Sequence, residues 1–450
     1  MRLIKKIRLF IWLFVGVVKK YSKLIVFSLI LGGVSFFFAG YLTPVLQKAF
    51  IPRKIGLVGH YTLIDLPATV QKFLSSGLVD ITTDGQPLPQ IVEDWQVSED
   101  QKSYQFKLKD NLTWVTGEPL KAEEIKFELK DVEVEILDGQ RLKFQLQEPF
   151  TPFPLLLAKP IFKKGLVGLG PFRLLKVKNN GQLVDTLTLK SDSETIAFKF
   201  YPTEEAAKTA LKLGEINELR ISYSCQLESD WNNYFTLEKQ LQTNQFIALF
   251  YNLDDANLAS KQLRQALTYA IKEKPTDSSR AVGPISPASW AFNPQVKKYD
   301  FSSQSAQELL AQFNEEGNGE TEENSELNLT ISTVPLFLDL AEKIKANWEE
   351  VLGLEVEVKM IDNLSDPFQI LLVAQEIPPD PDQYSLWHST QTSNITRIKS
   401  PKIDKLLEDG RKLVNTKERK EVYLDFQRFL LEERPAAFLF HPYTCNIKKK

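Results

Sequence analysis

The stretch FIALFYNLDDANLASKQLRQALTYAI, Phe246 to Ile271, joins two hydrophobic periods across one polar break. Phe246, Ala248 and Phe250 alternate with Ile247, Leu249 and Tyr251, an apolar run of strand length closed by Asn252, Asp254 and Asp255. It reads as a buried strand. Ser260 is placed to cap a helix in which Leu263, Ala266, Leu267, Ala270 and Ile271 fall at i, i+3, i+4, i+7 and i+8, one face of an amphipathic helix. A strand, turn and helix near the middle of a long chain mark the entry into a second lobe.

Towards the C-terminus the pattern is α/β. Leu327 to Ser332 is a strand, Pro335 opens a helix through Leu338, Ala341, Ile344 and Trp348, and Gly353 ends it. Leu354, Val356, Val358 and Met360 then alternate with polar residues, so strand, helix and strand cross over within a parallel sheet. Ser400-Pro401 starts a helix through Ile403, Leu406 and Leu407, and Lys417 to Leu431 forms another. Pro435 stops that helix before a strand, Ala436 to His441, which returns to the first lobe. Asn314 to Glu326 is a polar exposed loop.

Towards the N-terminus, residues 55–66 give a first strand and its exit loop, followed by a helix through Val70, Phe73 and Leu74. Tyr104, Phe106 and Leu108 mark a half-exposed strand, Lys121 to Leu129 a short helix, and Val132–Ile136 with Arg141–Leu146 a hairpin across Asp138-Gly139. Leu24 to Leu46 carries no charge over 23 positions, enough to span a bilayer core. Seven Lys and Arg precede it, so the positive-inside rule leaves residues 1–23 in the cytoplasm and places the body outside as a single-pass anchored membrane protein. The competing reading is a cleaved signal peptide, against which stand the length of the run and the lack of a small-x-small site after it.

Of 450 residues, 43% are hydrophobic and 25% charged, so a sizeable core is available. Residues 1–54 carry ten of the 55 Lys and Arg and none of the 58 acids, which leaves 45 basic against 58 acidic residues in the rest. So acidic a body argues against nucleic-acid binding, which needs cations on phosphates. Cys225 and Cys445 are the only cysteines; they either pair in an oxidising compartment or stand as isolated buried thiols. The motifs G-x-x-x-x-G-K-[ST], H-E-x-x-H and G-x-S-x-G are all absent, so no catalytic residue, cofactor or metal is assigned. His60, His388 and His441 are scattered, and Asp380 and Asp382 sit among Pro378, Pro379 and Pro381 as a rigid turn.

Several segments share the order seen in one family. PLPQIVEDWQVSED (Pro87 to Asp100), YQFKLKDNLTW (Tyr104 to Trp114) and GEPLKAEEIKF (Gly117 to Phe127) resemble the N-terminal lobe of the peptide and nickel class (family 5) of ABC-transporter solute-binding proteins. GLGPFRL (Gly168 to Leu174), AAKTALKLGEI (Ala206 to Ile216), Asn252 with Leu263 to Ile271, and Asp380-Pro381-Asp382 with Trp387 continue the resemblance over about residues 55–445. It implies a two-lobed periplasmic-binding-protein-like α/β fold of class II type with a hinge, preceded here by one transmembrane helix. Lobe I would hold residues 52–243 and 436–450, with a reduced subdomain about 81–159, and lobe II residues 244–435. The function implied is a membrane-anchored extracytoplasmic receptor that closes on a peptide or related small solute in the interlobe cleft. A separate ABC permease in the membrane would receive it.

This chain departs from the family pattern in three places. Little room separates Leu129 from the Val132 hairpin, so the first lobe is reduced. The Trp and the amine-pairing Asp that family peptide binders often place before the Asp-Pro segment are replaced within Ala374 to Pro379, where Glu376 is a shifted substitute. Thr116 and Lys121 stand where Asp and Thr are common. The resemblance gives Tyr61, Trp290, Tyr384 and Trp387 as aromatic cleft candidates beside Glu376, with core packing as the competing role for each of the four aromatics. Trp95 and Trp114 are assigned to structure, and Arg264 to the helix start. Two other functions compete: a degenerate member serving as a cell-envelope scaffold without transport, and a hydrolase using Glu376, Asp380 and Asp382.

Overall fold

The computed structural model describes residues 52–450 except 128, 224, 226–230, 232, 318–326 and 365, and residues 12, 15–16, 18–24 and 26–37 before them. Two units emerge, one of residues 1–63 with 174–218, the other of residues 64–173 with 219–450.

The larger unit is built on the strand Gln245–Tyr251. It lies inside a five-stranded sheet, antiparallel to Ile370–Glu376 on one side and to Ala436–Phe440 on the other. Because side chains alternate across a strand, Phe246, Ala248 and Phe250 enter one core while Ile247, Leu249 and Tyr251 enter the opposite one. Both faces are covered, so a nearly unbroken apolar run suits this strand. Asn328–Thr333 pairs in parallel with Glu355–Met360 and Ile370–Glu376, the crossover being the helix Leu338–Leu352, ended by Gly353 at φ 67°. Trp348 anchors that helix; it is fully buried and its Nε1 donates to the Leu267 carbonyl at 2.9 Å. The helix Lys261–Tyr269 begins as the sequence implies, Ser260 Oγ accepting from Leu263 N. Arg264 serves architecture: it donates to the carbonyls of Leu258, Ala259, Glu433 and Arg434, closing the C-terminal end of the helix Thr416–Glu433.

A smaller antiparallel sheet in the same unit runs in the order Val92–Val97, Ser103–Leu108, Arg141–Leu146, Val132–Asp138. Tyr104, Phe106, Phe144 and Phe153 pack its inner face. Its hairpin follows the sequence reading. The helix expected over Lys121–Leu129 is instead a single 3-10 turn, Ala122–Glu124. The Glu124 carboxylate is held by the Trp114 indole and by Lys163, and Ile125 turns extended to bury its side chain. The last strands also differ from expectation: Ala436–Phe440 pairs with Gln245–Tyr251, and only the following strand, Tyr443–Lys449, pairs with Phe235–Leu241. Both faces of Ala436–Phe440 are apolar, and the core of the five-stranded sheet takes them. Cys225 and Cys445 form a disulfide with Cα atoms 5.7 Å apart.

In the smaller unit Arg53–Val58 runs parallel to Thr195–Tyr201, which pairs antiparallel with Leu183–Lys190. Arg53 meets the buried Glu218 carboxylate, Nε at 2.8 Å. Tyr61 belongs here, its ring 5.2 Å from that of Phe200.

Among the described residues no single helix is long and apolar enough to cross a membrane. Val18–Leu24 and Val26–Phe37 form a pair bent by 41° that passes together by length and composition. Positions 25 and 38–46 of the expected span and much of the basic segment lie outside the described residues, as do positions 318–326 of the expected loop, whose first residues end the helix Ser303–Gly317.

The larger unit buries one lysine among cations. Lys274 is 9% exposed and donates to the carbonyls of Thr268 and Tyr299 at 2.6 and 2.5 Å. Burial, with Arg280 and Arg434 nearby, lowers its pKa to about 6. The unfolded chain holds that proton up to about 10.4, so between these values it binds more protons than the folded chain and stability rises with pH. The thermal midpoint should therefore climb from pH 6 to pH 9, with a smaller slope in Lys274→Met; equal slopes would exclude this origin.

Candidate functional site

Three contacts bring the turn Thr82–Gln86, which joins the paired strands Val79–Ile81 and Pro87–Pro89, and the Thr151 loop against loops and a helix packed on the five-stranded sheet. The first is the turn Thr82–Gln86, tied by Thr82 Oγ1 to Asp84 at 2.5 Å and by Gln86 N to Thr82 Oγ1 at 2.8 Å. Gly85 adopts φ 89°, and a Cβ there would run into the Pro379 carbonyl, so only glycine permits the approach. The second is Trp290 N donating to Asp84 O at 3.3 Å, and the third Thr151 N donating to Arg411 O at 2.9 Å. Between them lies a cavity of about 200 Å³, lined by Trp95, Tyr104, Thr151, Trp290, Asp380 and Arg419 among others.

Its charged floor is one ion pair. Asp380 Oδ2 accepts from Arg419 Nη1 at 2.7 Å and Oδ1 from Nη2 at 2.5 Å, while Arg419 Nε donates to Gly410 O at 2.7 Å. The two side chains are 10% and 6% exposed, so the pair sits out of bulk water. Burial pulls the Arg419 pKa down, but the hydrogen bond and charge of Asp380 outweigh it and leave it above its ordinary value. The guanidinium lies 5.5 Å from the Trp290 ring centroid and 5.3 Å from that of Tyr423. Gln427 fixes the Trp290 loop, donating to Ala291 O at 2.8 Å and accepting from Asn293 N at 3.1 Å. On the facing side burial pushes the Tyr104 phenol up to about 12, and it donates to Phe150 O at 3.0 Å. With carboxylate and guanidinium neutralising each other, the cavity offers aromatic faces and neutral polar groups. Such a site can stack a flat or apolar group and hydrogen-bond around it.

The sequence-derived candidates are dispersed. Trp290 lines this cavity. Tyr384 lines a second one of about 360 Å³, where the Arg411 guanidinium is sandwiched 4.7 Å from Phe150 and 4.3 Å from Tyr384. Arg411 also meets Asp382 at 3.1 Å, whose carboxyl is raised by burial and partly restored by Arg411. Trp387 is core: it is 2% exposed, packs near Phe250 and Phe438, and its indole donates to Gln383 at 3.2 Å. The apolar contacts it gains there exceed what a rim position would give. Glu376 ends its strand exposed and is not among the residues lining either cavity. Tyr61 lies in the smaller unit, its hydroxyl 3.2 Å from Val58 O. Trp114 is structural, and Trp95, read as structural, packs on the small sheet's core with its ring 5.7 Å from Phe106 and also lines the cavity. Arg419 is not among the sequence-derived site candidates, and Asp380 enters there only in the hydrolase reading and as part of a rigid turn. The signal for Arg419 was its place on the stripe Tyr423, Phe426 and Leu430, where a charge needs a partner. His388 bonds to Thr390 two residues on and His441 to the Gln245 carbonyl of the neighbouring strand, and among the described residues no group of three or more His, Cys, Asp or Glu could hold a metal ion.

The family model for bacterial extracellular solute-binding proteins, family 5 (middle), matches residues 86–396. The oligopeptide-binding protein AppA of Bacillus subtilis is 23% identical over 314 residues, 62% of this chain and 57% of the relative's length. A probable D,D-dipeptide-binding periplasmic protein, DdpA of Escherichia coli, is 20% identical over 438 residues, covering 81% of this chain and 82% of its own. Among solved structures, NikZ from Campylobacter jejuni in complex with Ni(L-His) superposes with a TM-score of 0.72 at 22% identity, covering 89% of this chain and 94% of that one. These structural matches establish a two-lobed periplasmic-binding-protein-like α/β fold. The matched family consists of solute-binding proteins, not enzymes.

Proposed function

Because the chain belongs to the bacterial extracellular solute-binding proteins, family 5, we propose that it is the membrane-anchored receptor of an ABC importer. It captures a short peptide or related small solute and delivers it to a permease that supplies the energy. The observation that carries this reading is the 200 Å³ cavity over the Asp380–Arg419 pair. Its size is below the ~300–1,000 Å³ of ordinary ligand pockets, which favours a small solute. Its only paired charges are already satisfied, so recognition falls to stacking on Trp290 and Trp95 and to hydrogen bonds from Thr151 and Gln86. Anchoring rests on the uncharged 23-residue run behind a basic N-terminus and on the bent helical pair Val18–Leu24 and Val26–Phe37 that overlaps its first part.

Trp290→Ala should weaken solute binding at least tenfold while leaving the thermal midpoint within about 2 °C, since the ring is half-buried at the cavity wall. Calorimetric titration with di- and tripeptides, scored against the variant, measures this. Unchanged affinity in Trp290→Ala would remove the cavity from recognition.

A further inference from the structure

Beside the small sheet lies a further concavity, of about 650 Å³, bounded by Glu124, Lys126, Phe127 and Leu129, by the end of the helix Phe153–Leu156 and by the loop Lys159–Lys164. None of its lining residues lines the cavity at Trp290. Its floor is apolar: Phe127, Leu129, Leu156, Leu157, Ile161 and Phe162. Leu157 and Ile161 are buried beneath it, whereas Leu156 is 49% exposed. The connection from Leu129 to the strand at Val132 is only Lys130 and Asp131, the latter at φ 59°, too short to cover that floor.

The rim is basic. Lys126, Lys159, Lys163 and Lys164 line it with Glu124 the only described acid. Lys163 is neutralised by Glu118 at 2.7 Å and Glu124 at 2.9 Å. Among the described residues no carboxylate forms an ion pair with Lys126, Lys159 or Lys164. A volume inside the ~300–1,000 Å³ range suits a small molecule. Apolar floor burial supplies affinity at roughly 25 cal/mol per Å², and lysines without an ion-pair partner among the described residues select the sign of the ligand's charge.

We propose that this groove binds a small anionic amphiphile, its aliphatic or aryl body on the floor and its carboxylate or phosphate at the lysine rim. The site is independent of solute capture at Trp290. An amphiphile of equal chain length with a cationic head meets the same floor but is repelled at the rim.

The test uses the full chain in phosphatidylcholine nanodiscs, titrated calorimetrically with sodium decanoate and with decyltrimethylammonium, empty discs subtracted. The expected result is saturable one-to-one binding of decanoate alone. Affinity should fall about tenfold in the double variant Lys159→Glu, Lys164→Glu and further in Leu156→Asp, with Trp290→Ala unchanged and all variants melting as the parent. Adding phosphatidylglycerol to the discs distinguishes the sources: suppressed decanoate binding identifies a lipid headgroup as occupant, undiminished binding a free amphiphile. Equal binding of the cation, decanoate binding that survives both groove variants, or uptake of acidic peptides without decanoate would overturn the proposal.

Discussion

Replacing Arg419 by alanine is expected to cost the larger unit about 3–5 kcal/mol, because it strands the Asp380 carboxylate without its cation in a site shielded from water. The substitution also frees the Gly410 carbonyl, to which Arg419 Nε donates. Its surroundings cannot relax easily: Gly410 has no room for a Cβ beside the Tyr423 ring, and the neighbouring Tyr423 hydroxyl supplies no positive charge in any protonation state. Removing both charges, as in Asp380→Leu with Arg419→Met, should recover much of the loss, since no isolated charge is left behind. Urea denaturation of both variants beside the parent measures the difference. A single-variant cost near that of an exposed pair, about 1 kcal/mol or less, would mean that water reaches the pair.

The second large effect is reduction of the Cys225–Cys445 bond. The bond closes a separation of 220 residues and pins the strand Tyr443–Lys449, where Cys445 is fully buried. Losing such a crosslink costs roughly 2–5 kcal/mol, chiefly by freeing the unfolded chain. Differential scanning calorimetry with and without reductant, and with Cys225→Ser, should show the same downward shift for reduction and substitution. Two free thiols in the native protein, or no shift on reduction, would contradict the pairing. A disulfide also fits an extracytoplasmic body, since such bonds persist in oxidising compartments.

What could be read from the chain depended on how local the signal was. Gln245–Tyr251 and the helix beginning at Lys261 were legible because strand period, helix period and the Ser260 cap each operate within a few residues. The crossover helix ending at Gly353 was legible for the same reason. The strand Ala436–Phe440 was recognised, but its partner was not, because apolar alternation does not say which sheet edge receives a strand. At Lys121–Leu129 a helical pattern lost to tertiary contacts, with Trp114 and Lys163 claiming Glu124. The candidate site was harder still. Trp290 and Trp387 have the same chemistry and comparable surroundings in sequence, yet one lines a cavity and the other fills a core. Asp380 and Arg419 lie 39 residues apart and meet only in the fold.

The most direct test of the account is native mass spectrometry of the full-length chain, released gently from its own membrane, beside the same preparation of Trp290→Ala. The account predicts one small solute retained at one-to-one stoichiometry in the parent and lost in the variant. A parent that emerges empty and takes up no peptide or small solute on titration, or a variant that retains the same solute equally well, would contradict it.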